Sequence, residues 1–259
     1  MALFGTYVVV FGGYLAFFKK HSDQTGLPPA GEVRLPPEPW SSKPPPQWPQ
    51  IVLTNEASFR ERTPLRGASA FLVEEDGQIF GATAQHLLGE NGGVKPEAPA
   101  RELDSLLVSW ILHPRTMQDR SVKVAGLGAK PRSDRNYDWL LLRLAPANGA
   151  LPATPLHLRA SPVAVGESVH LIGVSYAEPN VAQKVYSGNV TERRYGDRFR
   201  YSISPHVDIR GFSGAPIVDD AGLLVGVMTV WFQPVMDGTL WTEAGGEDAY
   251  SALKAFRRQ

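Results

Sequence analysis

Gly211-Phe212-Ser213-Gly214-Ala215-Pro216 is the stretch that organises the chain. A serine lies between two glycines. Ile217-Val218 then runs into a turn at Asp219-Asp220-Ala221-Gly222, followed by a second apolar run, Leu223-Leu224-Val225-Gly226-Val227-Met228. Apolar runs flanking a Gly/Asp turn make a β-hairpin, here with a tight loop ahead of it. Glycines let the main chain turn sharply and present N–H groups to a ligand. Two readings fit: an ordinary glycine-rich loop, or a nucleophile loop in which Ser213 attacks and the N–H groups of Gly211 and Ser213 form an oxyanion hole.

A nucleophilic serine needs a base, and the base needs an orienting carboxylate. Of the six histidines, His86 stands out, because it ends the strand-like run Thr83-Ala84-Gln85-His86. His170 lies inside an apolar strand, Val169-His170-Leu171-Ile172, and reads as structural or face-exposed. His21 falls in a linker, and His113, His157 and His206 fall in loops. Asp138 heads Trp139-Leu140-Leu141-Leu142-Arg143-Leu144, and a carboxylate at the start of a buried strand is costly unless it is partnered. Asp76, Asp219 and Asp220 are turn formers by context. No histidine follows Ser213, so the serine-first order of α/β-hydrolases lacks its base. The order His86, Asp138, Ser213 remains, with separations of 52 and 75 residues.

Composition sets bounds on the rest. The 259 residues suffice for one or two domains with a proper core. A formal net charge of zero argues against a general nucleic-acid binder. Having no cysteine excludes disulfides, thiolate catalysis and cysteine-ligated zinc. Ala2 to Phe18 is nearly all apolar and closes on Lys19-Lys20, so residues 1–20 read as an N-terminal membrane anchor or signal-like segment. As a helix the run is about 26 Å long, and the missing basic n-region and Ala-x-Ala site favour an uncleaved anchor over a signal peptide. Residues 21–50 are dense in proline, which favours an extended, semi-rigid spacer. From Ile51 onward come many short strand candidates with Gly/Pro/Asp turns: residues 70–73, 78–86, 106–112, 122–125, 139–144, 168–174, 183–190 and 199–203. This pattern predicts an all-β, antiparallel sandwich or barrel. Gly245-Gly246 punctuates the end, and Glu247-Asp248 suits the first turn of an amphipathic C-terminal helix at about 247–258.

On these motifs the sequence resembles the trypsin-like, chymotrypsin-fold serine proteases, particularly the cysteine-free bacterial Deg/HtrA type. Thr83-Ala84-Gln85-His86 resembles the family's Thr-Ala-x-His, Asp138-Trp139-Leu140-Leu141-Leu142 its Asp-led strand, and the Ser213 loop its Gly-x-Ser-Gly-x-Pro. Val165 to Gly173 and Ser187-Gly188-Asn189-Val190 resemble segments that open the second barrel. The resemblance covers about Gly67 to Trp231. It implies two six-stranded antiparallel β-barrels within residues 51–259, one over about 51–145 and one over about 164–244, with the site in the cleft between them. It also implies His86 as base and then acid, Asp138 as its orienting partner and Ser213 as nucleophile, without metal or organic cofactor. Val207, Thr229, Val230 and Trp231 would border the primary specificity pocket, which Trp231 would make shallow and apolar. Asp208 would favour a basic side chain if it pointed inward. The chain ends at Gln259, which leaves no room for the C-terminal peptide-binding (PDZ) domain of many Deg-type proteases.

Three positions depart from the family pattern: Ala215 for a glycine, Leu140 for a small residue, and Phe212 for the Asp or Asn beside the nucleophile. Phe212 cannot pair with a freed N-terminus, so trypsinogen-style activation is not expected. It also supports a rival reading, a membrane-tethered protease-like module kept for binding. The expected partners are a polypeptide substrate and a membrane. The stretches Arg193-Arg194-Tyr195 and Arg198-Phe199-Arg200-Tyr201 have the interleaving of some nucleic-acid binders, but a solvated strand face explains them and no nucleic acid is expected.

Overall fold

The structure, a computed structural model, describes residues 38–128, 137–146, 149–229 and 235–252, and fourteen strands form the framework of these described residues. The expected membrane segment 1–20 lies outside the described residues, as does the spacer up to residue 37. Among the described residues no helix is long and apolar enough to cross a membrane.

The first sheet comprises β1 (Leu53–Phe59), β2 (Leu65–Glu75), β3 (Gln78–Thr83), β4 (Leu107–His113), β5 (Val122–Leu127), β6 (Leu140–Leu144) and β7 (Leu156–His157). Its order is β1-β4-β5-β6-β3-β2, and β1 pairs again with β2, so six antiparallel strands close into a barrel. Closure removes the exposed edges of an open sheet. The second comprises β8 (Ser168–Gly173), β9 (Lys184–Arg194), β10 (Arg198–Val207), β11 (Pro216–Val218), β12 (Leu224–Thr229), β13 (Met236–Asp237) and β14 (Leu240–Asp248). It closes through β10–β14 into a second six-stranded ring, β10-β9-β8-β11-β12-β14. β7 and β13 are short additions outside the rings, and β7 pairs in parallel with β2.

Strand alternation shows where each core lies. Barrel one packs Leu53, Leu72, Trp110, Leu140 and Leu142, and barrel two packs Val169, Leu171, Phe199, Tyr201 and Phe212. A third cluster joins the two: Phe71, Trp139 and Leu141 of barrel one meet Ile172, Val218 and Val227 of barrel two. The consecutive apolar residues Leu140-Leu141-Leu142 serve both sides, with Leu140 and Leu142 inside the barrel and Leu141 in the joint.

Two elements differ from the sequence expectation. Glu247 and Asp248 end strand β14 rather than opening a helix, and Gly245-Gly246 lie inside that strand. Gly246 packs so closely on barrel two that a Cβ there would meet Ile217 at 2.6 Å and the Phe199 ring at 2.7 Å. Gly246 therefore answers to packing, not to a chain break. The helical turn begins two residues later, at 249, with the Asp248 carboxylate accepting the Ser251 N–H at 2.8 Å as its cap. The remainder of the expected helix lies outside the described residues. The end of the proline-rich stretch differs as well. Pro39–Gln259 forms one compact unit. Trp48 is buried against the joint, Trp40 meets it edge-on at 4.9 Å, and Ser41 Oγ donates to the Asp220 carbonyl at 2.7 Å. Tryptophans within a proline-rich stretch give it apolar surface to bury, so this part is a strap on the domain.

Candidate active site

His86 sits on the 3-10 turn Gln85–Leu88 that leaves β3. Leu87 and Leu88 are buried in barrel one, which pins the turn and leaves the His86 side chain on the cleft. Asp138 is held the same way, between buried Tyr137 and Trp139 just before β6. Its Oδ1 accepts the His86 main-chain N–H at 2.7 Å, and its Oδ2 lies at His86 Nδ1 in a short contact. A carboxylate is an acceptor only, so Nδ1 carries the proton and Nε2 carries the lone pair. Among the described residues this arrangement yields a histidine poised as a base and oriented through both ring and backbone.

The Ser213 loop is set by contact with barrel one. Gly214 has φ +84°, and a Cβ there would overlap the Ser69 carbonyl and approach Thr83 Oγ1 to 2.6 Å. Only glycine fits, for both reasons. The Ser69 N–H donates to the Ser213 carbonyl at 2.9 Å, and Ser69 Oγ donates to the Gly211 carbonyl at 2.8 Å. Behind Ser69 lies a buried polar network. The Ser69 carbonyl accepts from Thr83 Oγ1 at 2.7 Å and from Asn55 Nδ2 at 3.1 Å, and Asn55 Oδ1 accepts from the Trp110 indole at 3.2 Å. Buried polar groups satisfied in this way hold a single geometry.

The other arm of the loop is a turn closed by the Phe212 N–H on the Ile209 carbonyl at 3.0 Å, with Gly211 at φ +104° in the third position. Positive φ there marks the type II form. The Arg210 carbonyl accepts the Tyr176 N–H at 2.9 Å, so the Gly211 N–H of the same trans peptide points the opposite way. Tyr176 also spans the barrels, since its hydroxyl accepts the Ala68 N–H at 2.6 Å. His86, Asp138, Gly211, Ser213 and Tyr176 line one cleft of about 530 Å³.

Phe212 belongs to the core of barrel two. It is fully buried, meets Tyr186 edge-on at 5.4 Å, and fills the space left by Gly173, where a Cβ would overlap its ring. The missing acidic side chain is thus replaced by an apolar anchor for the same loop.

Of the expected specificity residues, the described ones, Val207 and Thr229, do not line the cleft. Val207 is buried in barrel two and borders a separate groove with Tyr186, Pro205 and His206. Thr229 is buried and does not line the cleft. Val230 and Trp231 lie outside the described residues. The cleft wall near Ser213 is instead Ile209, Met228 and Trp241. Asp208 is bound by Arg210, whose guanidinium holds its carboxyl below the usual range and neutralises it as a site for a basic side chain. Met228 was legible only as a strand residue. Ile209, Trp241, Tyr176 and Ser69 carry no local motif.

Two other clusters lie off the cleft. His170 contacts Ser187 Oγ and Asp220 Oδ1, each at 2.8 Å, on the outside of barrel two under Trp48. The arginines of the basic stretch face carboxylates: Arg193 pairs with Asp248, Arg198 with Glu247, and Arg200 with Glu192 and Glu243. The interleaved Phe199 and Tyr201 are fully buried, so they offer no stacking surface.

A family model, the trypsin-like peptidase domain, matches residues 68–227. The chain belongs to the trypsin-like peptidase family. No curated protein matches it. Among solved structures, this peptidase is similar to the protease Anisep from Arthrobacter nicotinovorans at 16% identity and a TM-score of 0.56, covering 80% of this chain and 93% of that one. It is also similar to the HtrA-type protease AlgW with a tripeptide, at 18% identity and a TM-score of 0.52, covering 80% of this chain and 59% of that one. These likenesses concern the two-barrel fold.

Replacing Phe212 with asparagine puts an unpaired amide into the core and removes a packed ring. Phe212→Asn is expected to lower stability by about 3–5 kcal/mol in denaturant unfolding. An unfolding midpoint equal to that of the parent would mean the ring is not the anchor of the loop.

Proposed function

We propose that this trypsin-like peptidase is a serine endopeptidase that works through His86, Asp138 and Ser213 and an acyl-enzyme. The observation that carries the reading is the His86–Asp138 pair, bonded through both ring and main chain, on the same cleft as the constrained Ser213 loop. Ser213 Oγ attacks the scissile carbonyl while His86 Nε2 takes its proton, and Asp138 stabilises the imidazolium. The carbonyl oxygen becomes an oxyanion held by the N–H groups of Gly211 and Ser213. Collapse breaks the C–N bond, and His86 gives the proton to the leaving amine. Water, deprotonated by His86, then hydrolyses the Ser213 ester and regenerates the hydroxyl. The apolar wall of Ile209, Met228 and Trp241 supports a substrate with an apolar side chain at the cleaved residue.

The reading extends to a membrane tether, supported by the apolar run 2–18 and Lys19-Lys20 alone. The full chain should sediment with membranes and be released by detergent but not by alkaline carbonate; recovery in the soluble fraction would remove the tether.

The test of the main claim is cleavage of an unstructured peptide library by the full chain. Cleavage should follow apolar residues and fall at least about 10³-fold in Ser213→Ala. Equal cleavage by Ser213→Ala, or none by folded parent protein, would contradict it.

A further inference from the structure

Glu247 is a buried carboxyl that the mechanism above does not use. It lies at the end of β14 in barrel two, 1% exposed, and its Oε2 accepts the main-chain N–H of Asp138 at 2.7 Å. Asp138 belongs to barrel one, so this bond crosses the joint and reaches the residue that orients His86. Its other oxygen, Oε1, lies 3.5 Å from Arg198 Nε on β10. The charged groups facing Glu247 are thus Asp138 ahead of β6, Arg198 on β10 and Asp197 in the turn before it, with His86 beyond Asp138. Adjacent Asp248 is taken by Arg193 at 3.1 Å.

We propose that Glu247 is a positioning residue for the catalytic pair, holding the Asp138 main chain in place and, by gaining or losing its proton, setting how strongly the imidazolium of His86 is stabilised. The inference rests on the serine-protease reading. Its physical basis is the placing of a second ionisable carboxyl directly behind the first. Burial, and then the nearby Asp138 charge, push Glu247 up to about 8, against a smaller pull from Arg198. Around neutral pH Glu247 is largely protonated and neutral, yet its oxygen still accepts the Asp138 N–H. As pH rises through about 8 it becomes an anion. The added negative charge favours the imidazolium that forms as Ser213 attacks, so the reaction accelerates as Glu247 ionises.

The experiment is the pH dependence of the second-order rate of fluorophosphonate labelling of the full chain, which needs no knowledge of the natural substrate. The parent protein should show an additional rise of roughly three- to tenfold centred near pH 8. Glu247→Gln keeps an acceptor for the Asp138 N–H but cannot ionise, so its profile should lack the upper rise. Arg198→Gln, at a partly exposed position, removes the favourable cation and should move the rise to higher pH. It serves as the second variant if Glu247→Gln does not fold. Circular dichroism across the pH range checks that each sample stays folded. A parent profile without an upper step would overturn the proposal and leave the protease reading intact, and so would an upper step unchanged in Glu247→Gln or Arg198→Gln. Absence of labelling in folded parent protein at every pH would remove both.

Discussion

The approach of the Ser213 loop to strand β2 is the constraint on which the rest of the structure depends. At Gly214 the two main chains come so close that no Cβ fits between them, and Ser69 then bonds the loop on both sides, at Gly211 and at Ser213. The Ser213 loop comes from barrel two and His86 from barrel one, so any relative slip of the barrels would separate them. The buried network of Asn55, Thr83 and Trp110 behind Ser69 raises the cost of such a slip, because moving Ser69 would strand several buried polar groups. The apolar joint of Phe71, Trp139, Leu141, Ile172, Val218 and Val227 supplies the bulk attraction, and the polar network supplies the register.

The same logic orders the remaining parts. Trp139 and Tyr137 bury on either side of Asp138 and fix where its carboxylate can reach. Glu247 holds the Asp138 amide from the opposite barrel. Tyr176 reaches from the loop after β8 to Ala68 and to the Arg210 carbonyl, which fixes the peptide that presents the Gly211 N–H. The reactive groups themselves make few of these contacts. Their geometry is imposed by neighbours whose own positions are settled by burial, which is how a site built on loops acquires precision.

Much of this was legible in the sequence, for a reason that also explains what was not. His86, Asp138 and the Ser213 loop each sit in a short local pattern: a strand ending in a turn, a carboxylate heading an apolar strand, a serine between glycines. Local patterns survive in one dimension. The bond from Glu247 to Asp138 joins residues 109 apart, and nothing in Gly245-Gly246-Glu247-Asp248 reveals it; the glycine pair reads as punctuation because the Phe199 ring that demands Gly246 is distant in the chain. Phe212 stood at a position associated with the cleft, whereas the gap above Gly173 draws its ring into the core. Val207 was placed by analogy with the family, and side-chain direction on β10 turned it inward. The strap around Trp40 and Trp48 was hidden by its prolines, which report backbone conformation and say nothing of what tryptophans bury.

The dependence of Ser213 on His86 is read by intact-mass spectrometry and peptide mapping of the full chain after reaction with a fluorophosphonate. The account predicts a single adduct, located on Ser213 and lost in a folded His86→Ala variant. An adduct on Ser187, which touches His170 outside the cleft while Asp220 meets the other ring nitrogen of that histidine, would contradict it. So would labelling of Ser213 that persists without His86, since the serine would then owe nothing to the base that the two barrels bring to it.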